Sequence, residues 1–195
     1  MAGLAQSLHQ WPLSGHVAPP DAPGLWHLAG HLGLIAAFGA WIALGLPFWQ
    51  LALVVQGIVI CFLFTLEHEA THKTPFRTSA LNEWVGRFCG LMILLPFTWF
   101  RYFHLAHHRF TDIPGKDPEL EAGAKPETWA EYTRFVSGLP YWWGMARLIV
   151  GNALVRDPGQ YVPGHARRRV VIEARWMLGC YAVLLGSLIV TPLLF

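Results

Sequence analysis

Five histidines in two short segments are the residues of this sequence best suited to chemistry. The segment HEATH carries His68 and His72, and the segment HLAHH carries His104, His107 and His108. On a helix, residues three or four positions apart lie on one face, so each segment projects its imidazoles in one direction. Imidazole binds Zn, Cu, Fe and Ni. Because one metal ion rarely needs five imidazoles, the two segments together indicate a site for two metal ions.

The first segment also matches H-E-x-x-H, the signature of zinc proteases. In such a protease Glu69 would act as general base, and the zinc would need a third protein ligand besides His68 and His72. That interpretation leaves the second histidine segment without a role, whereas a histidine-rich two-metal site uses both segments. In the two-metal interpretation Glu69 is a neighbour that orients an imidazole through its other ring nitrogen.

The remaining five histidines are predicted to lie outside any metal site. His9, His16 and His165 stand alone in or near predicted coil, where solvated side chains are the usual outcome. His27 and His31 form an i, i+4 pair at the start of the first predicted helix, and an interfacial position is favoured over metal ligation. A haem-binding membrane protein is a further alternative, but it would need facing histidines within spans, and the two histidine segments lie at span ends.

The composition predicts a membrane protein. Hydrophobic residues make up 54% of the chain and charged residues 13%, against about 25% charged in ordinary soluble domains. All 14 Lys and Arg residues lie between Lys73 and Arg175, which is the asymmetry expected when a central portion stays cytoplasmic and its flanks cross the membrane. The basic run HARRRVV is therefore interpreted as a topology anchor or a contact to anionic lipid, and not as a nucleic-acid site.

Three uncharged stretches are predicted to be the spanning helices. Residues 25–46 are long enough to cross the hydrocarbon core, 47–50 form a turn, and 51–66 return across the membrane to the first histidine segment. Residues 176–195 form a third span. The predicted fold is thus an all-α integral membrane protein with a transmembrane hairpin, a cytoplasmic cap of interfacial helices and a third spanning helix.

The segments between the spans are predicted to form the cap. Residues 80–100 combine helical apolar spacing with a run too short to span, which predicts one amphipathic helix on or dipping into the cytoplasmic leaflet. Residues 111–128 are a polar loop, and 139–150 form an aromatic-rich interfacial segment. Residues 1–24 are predicted to be a Pro/Gly-rich coil, and 25–195 a single membrane domain.

The sequence resembles the membrane fatty-acid desaturase superfamily. HEATHKTPF and, 36 residues after His68, HLAHHRFTDIPGKDPEL are similar to the first two histidine boxes of that family, H-x3-H and H-x2-H-H. The resemblance extends from about Leu51 to Arg175 and includes the DPE after the second box. In that family, histidines on the cytoplasmic face hold two irons that activate O2. By this resemblance the iron ligands are expected to be His68, His72, His104, His107 and His108.

The resemblance implies an O2-dependent di-iron desaturase of fatty acids or acyl lipids. Its partners would be a lipid or acyl-chain substrate, membrane lipids and an electron donor that is cytochrome b5-like or ferredoxin-like. Related hydroxylases and carotenoid-modifying oxygenases share the boxes and remain alternatives. The family also has a fourth span and a third histidine box, which this sequence lacks after Arg175. The 195 residues are therefore expected to be an N-terminal fragment that is inactive alone.

Overall fold

A computed structural model describes residues 20–120 and 125–190. Within these residues it contains α-helices and no β-strands. In chain order the helices are α1 Asp21–Ala43, α2 Trp49–Cys61, α3 Leu63–His72, α4 Ser79–Ile93, α5 Phe97–Phe110, α6 Trp129–Val136, α7 Leu139–Ala153 and α8 Gly164–Val190. By length and composition, three described segments could each cross a membrane, namely Asp21–Ala43, Trp49–His72 and Gly164–Ile189. The predicted all-α membrane fold with three spans is therefore confirmed.

The first two spans form the predicted hairpin. No residue of α1 is buried within the protein, so its apolar side chains are available to lipid. Two side chains hydrogen-bond across the hairpin to backbone carbonyls. His31 Nε2 lies 2.6 Å from the carbonyl oxygen of Val59, and Gln56 donates to that of Ile35 at 3.2 Å. Polar contacts of this kind hold transmembrane helices together, because lipid offers these groups no other partner.

The start of α1 corrects the prediction for the N-terminal coil. The helix begins at Asp21, so the predicted coil over 1–24 is wrong for its last four residues, while residues 1–19 lie outside the described part of the chain. Proline and aspartate are both tolerated in a first helical turn, where N–H groups are unpaired and the helix dipole favours negative charge. The Asp21 carboxylate also accepts hydrogen bonds from the Thr78 backbone N–H at 2.9 Å and hydroxyl at 2.6 Å.

The single helix predicted over 80–100 is wrong, because this segment contains almost all of α4 and the start of α5. The two helices meet at a bend of 99°. Pro96 disfavours helical backbone at the residue before it. Leu94 adopts a left-handed φ of 60°, and the Leu95 N–H closes α4 by donating to the Gly90 carbonyl at 2.9 Å. The bend sends α5 in a new direction, towards α3.

The third span is longer than predicted. The predicted start at residue 176 is wrong, because α8 begins at Gly164; residues 191–195 lie outside the described part. Ala166, Val170 and Ala174 are buried at helical spacing in this earlier portion. The arginines of the basic run lie between the first two of them and are exposed. Packing of these residues against the rest of the protein therefore extends the helix through the basic run. The charges of that run hide the apolar spacing in the sequence.

Close approach of α3, α4 and α5 requires glycine. A β-carbon at Gly86 would lie 2.3 Å from the ring of Phe97, which is fully buried. A β-carbon at Gly90 would lie 2.2 Å from the Leu95 carbonyl oxygen and 2.9 Å from Oε1 of Glu67. These contacts fix how near α4 lies to both helices that carry the predicted ligands.

Candidate metal centre

The two histidine segments occupy the last turns of α3 and α5. His72 ends α3, and Lys73 then takes a left-handed φ of 60° that stops the helix. On α5, His107 and His108 lie in the last turn. The C-terminal turns of a helix carry unpaired carbonyls and partial negative charge, so a cation held there is stabilised. Helix ends therefore favour metal binding at both segments.

Four of the five predicted ligands converge on one point. His68, His72, His104 and His108 each offer a ligand atom, and these atoms all lie within 4.8 Å of one another. We call these residues the four-histidine cluster. His104 is at its centre: its Nε2 atom lies 2.9 Å from Nε2 of His72 and 2.9 Å from Nε2 of His108. The rings of His68 and His104 have centroids 4.3 Å apart.

The geometry of the four-histidine cluster fits a metal ion. With metal–nitrogen bonds of about 2.1 Å, two ligands at right angles are about 3 Å apart. The Nε2 atom of His104 has two other Nε2 atoms at 2.9 Å, but a ring nitrogen has one N–H or one lone pair and so makes only one well-directed hydrogen bond. A cation between the nitrogens would satisfy all of their lone pairs. An all-imidazole donor set suits iron as well as zinc, copper and nickel.

His107 lies apart from the four-histidine cluster and contacts carboxylates. Its Nδ1 atom is 2.9 Å from Oδ1 of Asp117, and its Nε2 atom is 3.5 Å from Oε2 of Glu119. If Nδ1 carries the proton and donates it to Asp117, Nε2 keeps a lone pair for a metal. Carboxylates commonly orient metal-binding histidines in this way.

Asp117 is itself held firmly. Its side chain is 1% exposed and accepts backbone N–H hydrogen bonds from Asp112 and Glu119, each at 2.9 Å. Burial acts to raise the pKa of Asp117, but the hydrogen bonds from His107 and the two backbone N–H groups outweigh it, so the pKa lies below its ordinary value. Asp117 is therefore a carboxylate at neutral pH and can fix the His107 ring.

Glu69 is placed as an orienting residue for His68. One carboxylate oxygen lies 3.1 Å from Nδ1 of His68, and the other accepts a hydrogen bond from the Thr74 hydroxyl at 2.6 Å. Both oxygens are thus engaged, whereas the general base of a zinc protease needs an oxygen facing a metal-bound water. The surroundings of Glu69 favour the orienting role over the protease alternative.

Aromatic rings flank the four-histidine cluster one turn earlier on its two helices. Phe100 stacks on His104 with centroids 5.4 Å apart and planes at 21°. Phe64 lies 6.0 Å from His68 and 5.6 Å from Phe100, measured between ring centroids. Phe64 is 42% exposed, and Phe100 is buried. The imidazoles are therefore bordered by apolar surface that a hydrocarbon chain could approach.

Two buried carboxylates near the histidines had no role in the sequence analysis. Asp117 belongs to the DPE sequence after the second segment, so the motif was noticed but its contact with His107 was not. Glu67, next to His68 in the chain, is 0% exposed, and neither of its carboxylate oxygens has a hydrogen-bond partner among the described residues. Burying a carboxylate without partners is unfavourable. No sequence signal marked Glu67, since it reads as the polar end of an apolar run.

Among the described residues, the histidines predicted to lie outside the metal site are not part of the four-histidine cluster. His27 and His31 are ring neighbours on α1, with centroids 6.3 Å apart. His165 is exposed at the start of α8. His9 and His16 lie outside the described residues.

Comparison with known proteins shows which family this chain resembles. The family model described as Fatty acid desaturase matches residues 46–195. No solved structure matches the chain.

Curated relatives are similar over parts of the chain. A Sphingolipid delta(4)-desaturase/C4-monooxygenase DES2 of Mus musculus is 30% identical over 59% of this chain and 37% of its own length. An sn-1 oleoyl-lipid 12-desaturase of Arthrospira platensis is 25% identical over 77% of this chain and 45% of its own length. An sn-1 acyl-lipid omega-3 desaturase (ferredoxin) of Synechocystis is 29% identical over 43% of this chain and 22% of its own length. The matched part of this chain thus spans less than half the length of each.

Proposed function

The chain belongs to the fatty acid desaturase family, and on that premise we propose that it is an O2-dependent di-iron desaturase of lipid acyl chains. The observation that carries the proposal is the four-histidine cluster at the ends of α3 and α5. The cluster adjoins aromatic surface and one of the three segments that could cross a membrane. A site of this kind is suited to an apolar substrate that stays in the bilayer.

The proposed iron ligands are the five histidines predicted from the sequence. The four-histidine cluster contributes four imidazoles, and His107 offers Nε2 while its Nδ1–H donates a hydrogen bond to Asp117. Bound iron would activate O2 to remove hydrogen from unactivated C–H bonds, a reaction beyond any amino-acid side chain.

The protein's own residues position these ligands and shape their surroundings. Glu69 and Asp117 each hold one ring nitrogen of a histidine, which leaves the opposite nitrogen for a metal. Thr74 fixes Glu69 by a hydrogen bond. Phe64 and Phe100 keep water from one side of the imidazoles and offer contact to an acyl chain. Outer-shell partners of this type raise metal affinity typically about 10–100-fold.

The names of the relatives support the proposed substrate class and redox partner. Their names specify sphingolipid and acyl-lipid desaturation, and one name specifies ferredoxin. We therefore assign this chain a lipid acyl-chain substrate, O2 and a ferredoxin-like or cytochrome b5-like electron donor. The histidines are assigned to the cytoplasmic side, because all 14 Lys and Arg residues lie between Lys73 and Arg175.

Hydroxylation is a second candidate for the same site. The Mus musculus relative is named both a desaturase and a C4-monooxygenase, so one protein of this kind carries both names. Both reactions begin with removal of a hydrogen from an acyl chain. The products distinguish them, since desaturation leaves a double bond and monooxygenation leaves a hydroxyl group.

The five histidines do not make a full ligand set for two irons. Octahedral-type sites take roughly six ligands each, so two irons need many more donors than five imidazoles. Water, O2 and bridging groups fill some positions and leave others for further protein ligands. We therefore expect the 195 residues expressed by themselves to hold iron weakly and to turn over slowly or not at all.

The proposal is tested by the lipids that the protein makes. The natural reading frame that encodes this chain is expressed with a ferredoxin and its reductase, and the fatty-acid methyl esters of host membranes are analysed by gas chromatography and mass spectrometry. New double bonds that disappear with His104→Ala and persist with His165→Ala are expected. A hydroxylated product would favour the second candidate. An unchanged lipid profile in membranes that contain the protein, the ferredoxin and the reductase would count against both.

A further inference from the structure

A cleft of about 520 Å³ lies along α5 on a different side from the four-histidine cluster. Its α5 residues include Tyr102, Leu105 and Arg109. At 3.6 residues per turn, these side chains leave the helix roughly 100–160° around the axis from His104 and roughly 60–120° from His108. The cleft and the four-histidine cluster therefore share α5 but lie on different faces of it.

The cleft carries two positive charges that no carboxylate of the described residues balances. Arg109 and Lys116 both line it and are both exposed. Among the described residues, neither lies within salt-bridge distance of an acidic side chain. Each instead lies over the ring of Phe110, with Arg109 at 5.2 Å and Lys116 at 5.8 Å from its centroid. The nearby carboxylate of Asp117 is buried and already engaged by His107. A cleft of this charge attracts an anion.

Neutral hydrogen-bonding groups stand beside the two cations. The amide of Gln160 and the phenol of Tyr102 line the same cleft. The Tyr102 oxygen accepts a hydrogen bond from Arg169 at 3.2 Å, so its own O–H can donate into the cleft. Guanidinium, ammonium, amide and phenol groups together supply the donors that a phosphate with several acceptor oxygens needs.

The position of the cleft suggests where its anion comes from. Pro163 lines the cleft, and the spanning segment Gly164–Ile189 begins at the next residue. The cleft is therefore at the end of a span, where the headgroup phosphates of a bilayer lie. A concave site of this volume suits a small charged group, whereas an acidic protein would need a broad exposed surface.

We propose that this cleft binds a phosphate group presented by a phospholipid of the surrounding leaflet. Arg109 and Lys116 neutralise the phosphate, and the Tyr102 phenol and Gln160 amide donate hydrogen bonds to its oxygens. None of the four-histidine cluster lines the cleft, so we expect the cleft to hold its ligand whether or not iron is bound. A lipid anchored there places its acyl chains beside α5 and α8.

The test uses the purified chain in a nonionic detergent and three soluble probes. The probes are dihexanoyl-phosphatidylglycerol, inorganic phosphate and uncharged dihexanoylglycerol, and binding is followed by calorimetry. We expect the phospholipid to bind, with inorganic phosphate weaker and dihexanoylglycerol showing no binding. Arg109→Gln and Lys116→Gln should each weaken phospholipid binding roughly tenfold, the loss expected for one charge-assisted hydrogen bond. Higher salt should weaken it further.

Matched variants control for loss of charge and loss of fold. Arg134→Gln and Lys125→Gln each remove a positive charge from an exposed position away from the cleft and should leave binding unchanged. Arg109→Lys keeps the charge and should recover most of the affinity. Thermal unfolding of each variant should match that of the unsubstituted chain, since both target residues are exposed.

Four results would overturn the proposal in whole or in part. Equal binding of dihexanoylglycerol and phosphatidylglycerol would show an apolar site. Unaltered affinity in both cleft variants would place the phosphate elsewhere. Binding of an acidic ferredoxin that requires Arg109 and Lys116, with no binding of either phosphate probe, would make the cleft a protein-docking surface. Inorganic phosphate that binds as tightly as the phospholipid would support the phosphate site and overturn the lipid source.

Discussion

The Nε2 atoms of His72 and His104 lie 2.9 Å apart although the two residues are 32 positions apart in the chain. The bend between α4 and α5 brings the second histidine segment to the first. Two ring nitrogens this close need a shared proton or a shared cation, and His104 has the same relationship with His108. Three converging nitrogens on the last turns of two helices are best explained by a metal ion.

His107→Ala should abolish desaturation and lower the iron content of the protein expressed from its natural reading frame. The variant removes the imidazole that Asp117 orients and leaves that buried carboxylate without its side-chain partner. Product analysis and metal analysis of the same preparation provide the measurements. His165→Ala is the control, since His165 is exposed at the start of α8, and both quantities should stay close to those of the unsubstituted protein. Full activity in His107→Ala would remove this residue from the ligand set.

Asp117→Asn should weaken iron binding without removing a ligand. The amide cannot hold the Nδ1–H of His107 as a carboxylate does, and loss of such a partner typically lowers metal affinity about 10–100-fold. Competition with a graded series of iron chelators measures this change. Asp112→Asn is the matched control, because Asp112 contacts Asp117 through its backbone N–H. Equal iron affinities in the two variants would show that Asp117 does not support the metal.

Gly90→Ala should destabilise the helix packing behind the metal centre. The added carbon would lie 2.2 Å from the Leu95 carbonyl oxygen, and backbone in a closed helix end cannot move aside easily. Overpacking of this kind costs about 1–3 kcal/mol in free energy of unfolding. Thermal unfolding in detergent is the measurement. Gly144→Ala, on a helix position with nothing within 4 Å of an added carbon, should leave the midpoint unchanged or raise it.

Residues from Lys73 to the first turns of α8 should face the cytoplasm. Single cysteines replace Lys73, Lys125 and Arg168, which are all exposed, in a background without the native cysteines. A membrane-impermeant thiol reagent added to intact cells should label none of them and should label all three after the cells are opened. Labelling of any one from outside would contradict the predicted orientation of the histidines.

Spacing and hydropathy were sufficient to predict the spans and the shared faces of the histidine segments. The i, i+4 spacing in HEATH and HLAHH is a local property, and helix geometry converts it directly into a common direction. Apolar runs likewise predict spans, because a bilayer imposes one length on every helix that crosses it. The all-α class and the hairpin could therefore be predicted without tertiary information.

The remaining features depend on contacts between distant residues. The bend at Pro96 separates α4 from α5, whereas apolar spacing alone continued through it. The start of α8 at Gly164 rests on burial of Ala166 and Val170, which the intervening arginines concealed. The contact between His107 and Asp117 forms where the chain turns after α5. Neither periodicity nor composition encodes where such turns bring two side chains together.

The most direct test of the central claim is the metal content of the protein purified from iron-replete cells. Iron and zinc are measured by mass spectrometry per polypeptide expressed from the natural reading frame, for the unsubstituted protein and for His104→Ala. Because His104 is at the centre of the four-histidine cluster, we predict about two iron ions per polypeptide in the former, as in other two-metal sites, and a large loss in the latter. Zinc at one ion per polypeptide with no iron, or iron that is unchanged in His104→Ala, would contradict the assignment.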